Sequence, residues 1–109
     1  MVLGKIIVGS ILALLLIYFL FAPCDPSKDF VCCLKNNNLT VYFEEYCPHS
    51  QKELKILANY EKYINFVNCT LNESKCKNIH AVPAYRFGNK TDYGVKNITE
   101  LMVMLGCKK

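Results

Sequence analysis

No charged side chain occurs between Ile6 and Ala22 (IIVGSILALLLIYFLFA), and this run constrains the chain more than any other feature. With Val2, Leu3 and Gly4 in front of it, it reaches about the 20 residues that a helix needs to cross a bilayer. The expectation is an uncleaved transmembrane anchor over residues 1–22, in contact with the membrane through residues 3–22. A cleavable signal peptide fits less well. The apolar region is long for one, YFLFAPC offers no small-x-small site, and Pro23 follows Ala22 directly. A lipoprotein signal ending at Cys24 meets the same proline. Lys5 precedes the run, whereas Asp25, Lys28 and Asp29 follow it, so the bias of basic residues points the N-terminus to the cytoplasm and the rest of the chain to the other side.

Two features describe that other side. Seven cysteines in 109 residues suit an oxidising lumenal or extracellular space, where disulfides persist. Five Asn-x-Ser/Thr sequons, at Asn38, Asn68, Asn72, Asn89 and Asn97, exceed the roughly one that the composition gives by chance and make these asparagines glycosylation candidates. The net charge of +4 is spread out, with Lys52, Lys55 and Lys62 along one helix surface and Lys108 and Lys109 at the end. No arginine cluster suggests nucleic-acid binding.

Residues 23–38 show neither a helical nor a strand period. They contain Pro23, Pro26, an Asn run and three cysteines, and are expected to form a connector with at most one short turn. A single domain then occupies residues 39–109. LTVYF (39–43) is a β-rich apolar run and reads as a buried strand. Pro48 opens a helix that extends to about Lys62, with Leu54, Leu57, Ala58 and Glu61 at helical spacing. INFVN (64–68) is the second strand, and Asn72 is a candidate cap for a short helix. PAYRF (83–87) and the residues after the Gly88-Asn89 turn form a hairpin. Ile98, Leu101, Met102 and Leu105 give the last helix an apolar face. This order predicts an α/β sandwich with a mixed four-stranded sheet.

The first strand leads to Cys47-Pro48-His49-Ser50, and the third opens with Val82-Pro83-Ala84. Together with the element order, these motifs resemble the thioredoxin-like fold. Cys47-Pro48-His49 is similar to the start of the Cys-Pro-His-Cys site of DsbA-type disulfide oxidases, and Val82-Pro83 to the Val–cis-Pro loop facing that site. VPAYRFGNKTDYGVKNITELMVMLGC is similar to the small thioredoxin-like domains of vitamin K epoxide reductase homologues, whose paired cysteines resemble Cys69 and Cys76. The resemblance covers residues 39–107. It implies a nucleophilic Cys47, substrate held along Val82 and Pro83, and a local Cys69–Cys76 disulfide.

Ser50 departs from the pattern. Serine cannot attack a mixed disulfide as a second thiol would, so Cys47 needs an outside thiol such as glutathione as co-substrate. A helix N-terminus lowers a thiol pKa, and a protonated His49 would add to that. Of the remaining cysteines, Cys107 can tie back to the connector, and any of Cys24, Cys32 and Cys33 can reach Cys47. An adjacent Cys32–Cys33 bridge would be strained. An odd total leaves one cysteine free or bonded to a second chain. No cysteine and histidine spacing fits a metal site, and His80 reads as a loop residue. Glu44 and Glu45 are either a solvated strand end or proton acceptors for Cys47. Two functions follow: a monothiol thiol–disulfide oxidoreductase or isomerase acting on cysteine-containing proteins, or a non-catalytic anchored module on a degenerate redox scaffold.

Overall fold

The computed structural model describes residues 2–21 and 24–109, with side chains for 9–18 and 24–109. The N-terminal run forms a helix, α1 (Val2–Phe21), but the expectation of a membrane-spanning anchor is corrected. Among the described residues no helix is long and apolar enough to cross a membrane. The expected boundary at Ala22 and Pro23 lies outside the described residues, and so does the side chain of Lys5.

The rest is a small mixed α/β domain built on a four-stranded mixed sheet in the order β2-β1-β3-β4. Its strands are β1 (Thr40–Phe43), β2 (Asn65–Asn68), β3 (Ala84–Phe87) and β4 (Lys90–Tyr93). β1 runs parallel to β2 and antiparallel to β3, and β3 and β4 form the hairpin. Gly88, at φ 58°, supplies the left-handed residue that its two-residue turn requires.

β1 is central, and the alternation of its side chains builds two cores. Val41 stands opposite Tyr85 and Tyr42 opposite Ala84, on the two faces of the sheet. Val41 and Tyr85 join Phe30, Leu34, Leu39, Leu57 and Leu101 in the larger core. Tyr42 and Ala84 join Cys69 in the smaller one, which Val67, Ile79 and Val82 cover. A strand buried on both faces reads as a continuous apolar run, as LTVYF does.

The connector is not the tether that its composition suggests. Residues Phe30–Asn36 form α2, capped by Asp29, whose carboxylate accepts from the Val31 N–H at 3.0 Å. Phe30, Cys32, Cys33 and Leu34 are buried, and the Phe30 ring meets Tyr60 edge-on at 4.7 Å. The expected long helix is also shorter: α3 spans Pro48–Ile56, and a 3₁₀ turn follows over Ala58–Tyr63. The expected helix after Asn72 is a 3₁₀ turn, Glu73–Cys76, that the Asn72 side chain does not cap; its amide donates to the Asn68 carbonyl instead.

The last helix, α4 (Ile98–Met104), starts with a reciprocal capping box between Asn97 and Glu100. At its other end Gly106, at φ 80°, reverses the chain, and the N–H groups of Gly106 and Cys107 return to the carbonyls of Val103 and Met102. This Schellman closure aims Cys107 at Cys33 on α2, and the two are bonded.

One buried acid stands out. α3 and its C-cap turn Ser50, Glu53 and Leu57 inward, each fully buried, so that of the expected stripe Leu54, Leu57, Ala58 and Glu61 only Leu57 is buried. Glu53 Oε2 accepts from the Lys96 N–H at 3.0 Å, whereas Oε1 and the buried Tyr85 hydroxyl have no hydrogen-bond partner. Burial raises the Glu53 pKa above its ordinary 4.5, outweighing the backbone N–H and the charge of Lys96, and Glu100 adds to the rise. A folded-state pKa above the unfolded one stabilises the fold fully below about pH 4.5, and that contribution is lost as pH rises through the folded value. Glu53→Gln keeps the acceptor for Lys96 and removes the charge. Its unfolding free energy is expected to match the parent's near pH 4 and to exceed it by about 1–3 kcal/mol near pH 8, as urea denaturation across that range measures.

Candidate functional site

Cys47 is placed by the end of β1 and the start of α3. After Phe43 the chain turns through Glu44, Glu45 and Tyr46, and the Cys47 N–H donates to the Glu44 carbonyl at 3.4 Å. Cys47 is then the N-cap of α3 with extended backbone, and Pro48 fills the first helical position, where a missing N–H costs nothing. Hydrogen bonding from the Ser50 N–H lowers the Cys47 pKa most. The Ser50 hydroxyl and the His49 N–H add to it, against the opposing effects of burial and the Glu44 carboxylate. His49 thus acts through its backbone; its side chain is exposed. Glu44, exposed at the strand end, opposes thiolate formation.

Ser50 is more than a vacated thiol position. It is fully buried, and its Oγ accepts from the Glu44 N–H at 3.2 Å, so one hydroxyl ties the strand exit to the helix and also faces the sulfur.

Among the described residues the other six cysteines are paired as Cys24–Cys32, Cys33–Cys107 and Cys69–Cys76, which leaves Cys47 as the one free thiol. Neither the adjacent Cys32–Cys33 bridge nor a bond from the connector to Cys47 forms. Cys47 is therefore also the only described cysteine left to bond a second chain.

The thiol opens into a cleft of about 730 Å³ whose walls include Glu44 and Tyr46 on one side, Cys69, Thr70 and Cys76 on another, and Ala81 and Val82 on the third. Val82 is half-buried, Pro83 is buried, and the bond between them is cis. His80 also lines the cleft, on its exposed rim. No group of three His, Cys, Asp or Glu side chains among the described residues is placed to hold a metal ion.

Sequence reasoning missed the ties that hold the cleft's walls together. The Cys69 N–H donates to the Phe43 carbonyl at 2.7 Å. The Asn68 amide donates to Glu45 Oε1 at 2.8 Å, and the Glu45 N–H to Thr70 Oγ1 at 3.1 Å. Of the five sequon asparagines, Asn38, Asn72, Asn89 and Asn97 are exposed; Asn68 is half-buried and its amide nitrogen is committed to Glu45. The Asn68-Cys69-Thr70 triplet, counted as a sequon, works here as a brace. Comparison with known proteins matches no family model to the chain, and no curated protein sequence matches it.

Proposed function

We propose that the protein is a thioredoxin-like monothiol thiol–disulfide oxidoreductase or isomerase acting on cysteine-containing proteins in an oxidising compartment. The observation that carries this reading is the single unpaired sulfur, held at a helix N-cap beneath hydrogen-bond donors that favour its thiolate, at the mouth of a cleft. The thiolate is the form that attacks a disulfide.

The rim suits an extended polypeptide. Tyr46, next to the thiol in the cleft lining, is 86 % exposed and presents its ring to a substrate chain. Val82, beside Pro83, supplies backbone for pairing. Ser50 cannot release a bound substrate, so a second thiol, from the substrate or from glutathione, completes the exchange. The three internal disulfides are compatible with such a compartment.

The test is the pH dependence of Cys47 alkylation in the full chain. A single reactive thiol titrating below the roughly 8.5 of free cysteine is expected. Ser50→Ala, which deletes the hydroxyl but not the backbone donors, is expected to move the titration upward. An unreactive Cys47 would overturn the reading and leave a non-catalytic module.

A further inference from the structure

The cleft holds sulfur in two oxidation states. Cys47 is a thiol, and Cys69 and Cys76, which line the same cleft, form a disulfide. The two other bridges lie elsewhere. Cys33 is in the larger core with Cys107 packed against it, and Cys32, bonded to Cys24, is buried on α2.

The wall bearing the disulfide is fixed to the wall bearing the thiol. The hydrogen bonds Cys69 to Phe43, Asn68 to Glu45 and Glu45 to Thr70 all join residues 43–45 to residues 68–70. Each strand end is thereby locked within a few residues of a sulfur. A local bridge that served only to staple the domain would need none of these ties, since β1 and β2 are already paired along their full length. Within the bridge the two sulfurs differ. Cys69 is 7 % exposed, whereas Cys76 is half-exposed on a single 3₁₀ turn.

We propose that the Cys69–Cys76 disulfide is the electron acceptor for Cys47, so that the pair does the work of the second thiol missing at position 50. This rests on the monothiol reading of Cys47 and extends it to net oxidation of a substrate dithiol. The Cys47 thiolate attacks the more accessible Cys76 sulfur. A Cys47–Cys76 bond forms, and Cys69 leaves as a thiolate that takes a proton. A substrate thiolate then attacks the Cys47 sulfur, forming a substrate–Cys47 mixed disulfide and expelling Cys76, which is protonated in turn. The second substrate thiolate attacks the substrate sulfur of that bond, closing the substrate disulfide and freeing the Cys47 thiolate. Two electrons and two protons pass from substrate to the pair, and Cys47 is unchanged. A low-molecular-weight disulfide such as oxidised glutathione reoxidises the pair for another turnover.

The experiment uses the native full-length chain, mixed without oxygen with an equimolar peptide carrying two cysteines, then acid-quenched, alkylated and mapped by mass spectrometry. The expected result is one peptide disulfide per chain, with Cys69 and Cys76 both alkylated and the Cys24–Cys32 and Cys33–Cys107 bridges intact. In Cys47→Ala, reduction of Cys69–Cys76 is expected to slow at least about a hundredfold, the scale on which holding the reacting groups together acts. Cys69–Cys76 staying oxidised in that mixture, while Cys47 of the same chain forms a mixed disulfide when given oxidised glutathione, would overturn the relay and leave the monothiol reading standing. Equal reduction rates with and without Cys47 would also overturn it. Failure of Cys47 to form a mixed disulfide with oxidised glutathione would overturn the monothiol reading itself.

Discussion

Replacing Cys33 and Cys107 together by alanine is expected to lower the unfolding free energy by about 4 kcal/mol, the loop-closure value for a bridge of this span. The two cysteines are separated by 74 positions, and the loop they close contains the entire sheet. Small domains have about 5–15 kcal/mol in total, so the variant is expected to unfold well below the parent in urea. The control is Cys24→Ala/Cys32→Ala, whose bridge spans 8 positions and constrains the unfolded chain far less, by roughly 2.5 kcal/mol. Equal losses from the two double variants, measured with unchanged denaturant slopes, would refute the assignment of the long bridge as the main brace.

Restoring a second thiol with Ser50→Cys is expected to shorten the lifetime of a mixed disulfide between Cys47 and a one-cysteine peptide by at least about a hundredfold, because the resolving attack becomes intramolecular. Ser50 sits in the first turn of α3, where its side chain already faces the sulfur. The cost is modest: the hydrogen bond from the Glu44 N–H weakens with a sulfur acceptor, roughly 1 kcal/mol of stability. A one-cysteine peptide has no second thiol, so its release reports on the protein alone. Adducts that last as long on S50C as on the parent would show that position 50 cannot reach the bond.

What the sequence made legible followed apolar periodicity. The first three strands and α4 each have a pattern long enough to read, β4 follows from the turn at Gly88-Asn89, and Asn97 marks a cap by chemistry alone. α2 escaped because its buried face is Phe30, Cys33 and Leu34, an i, i+3, i+4 pattern in which one member was counted as a bridge rather than as the small apolar residue that cysteine also is. Asp29 in front of it was the available signal. The rotation of α3 had none, since nothing in the pattern announces that a glutamate at position 53 faces inward while Leu54 is only half-buried. At the site, Cys47 was visible from Pro48 and its strand, and so was the departure at Ser50. The brace from Glu45 to Asn68 and Thr70 was not, because its partners are 23 and 25 positions apart and meet only once β1 and β2 pair.

The neighbouring cysteines of α2 also define how the molecule bears load. Cys32 is bonded back to Cys24 and Cys33 forward to Cys107. Tension applied between the first and last residues therefore runs from one bridge through a single peptide unit into the other and out at the C-terminus. The sheet, the cleft and α3 hang from that line without carrying it. In a stretching experiment the oxidised chain should extend only by its two tails, while addition of a reductant under force should release two hidden lengths, a short one between residues 24 and 32 and a long one between residues 33 and 107, one as each bridge opens.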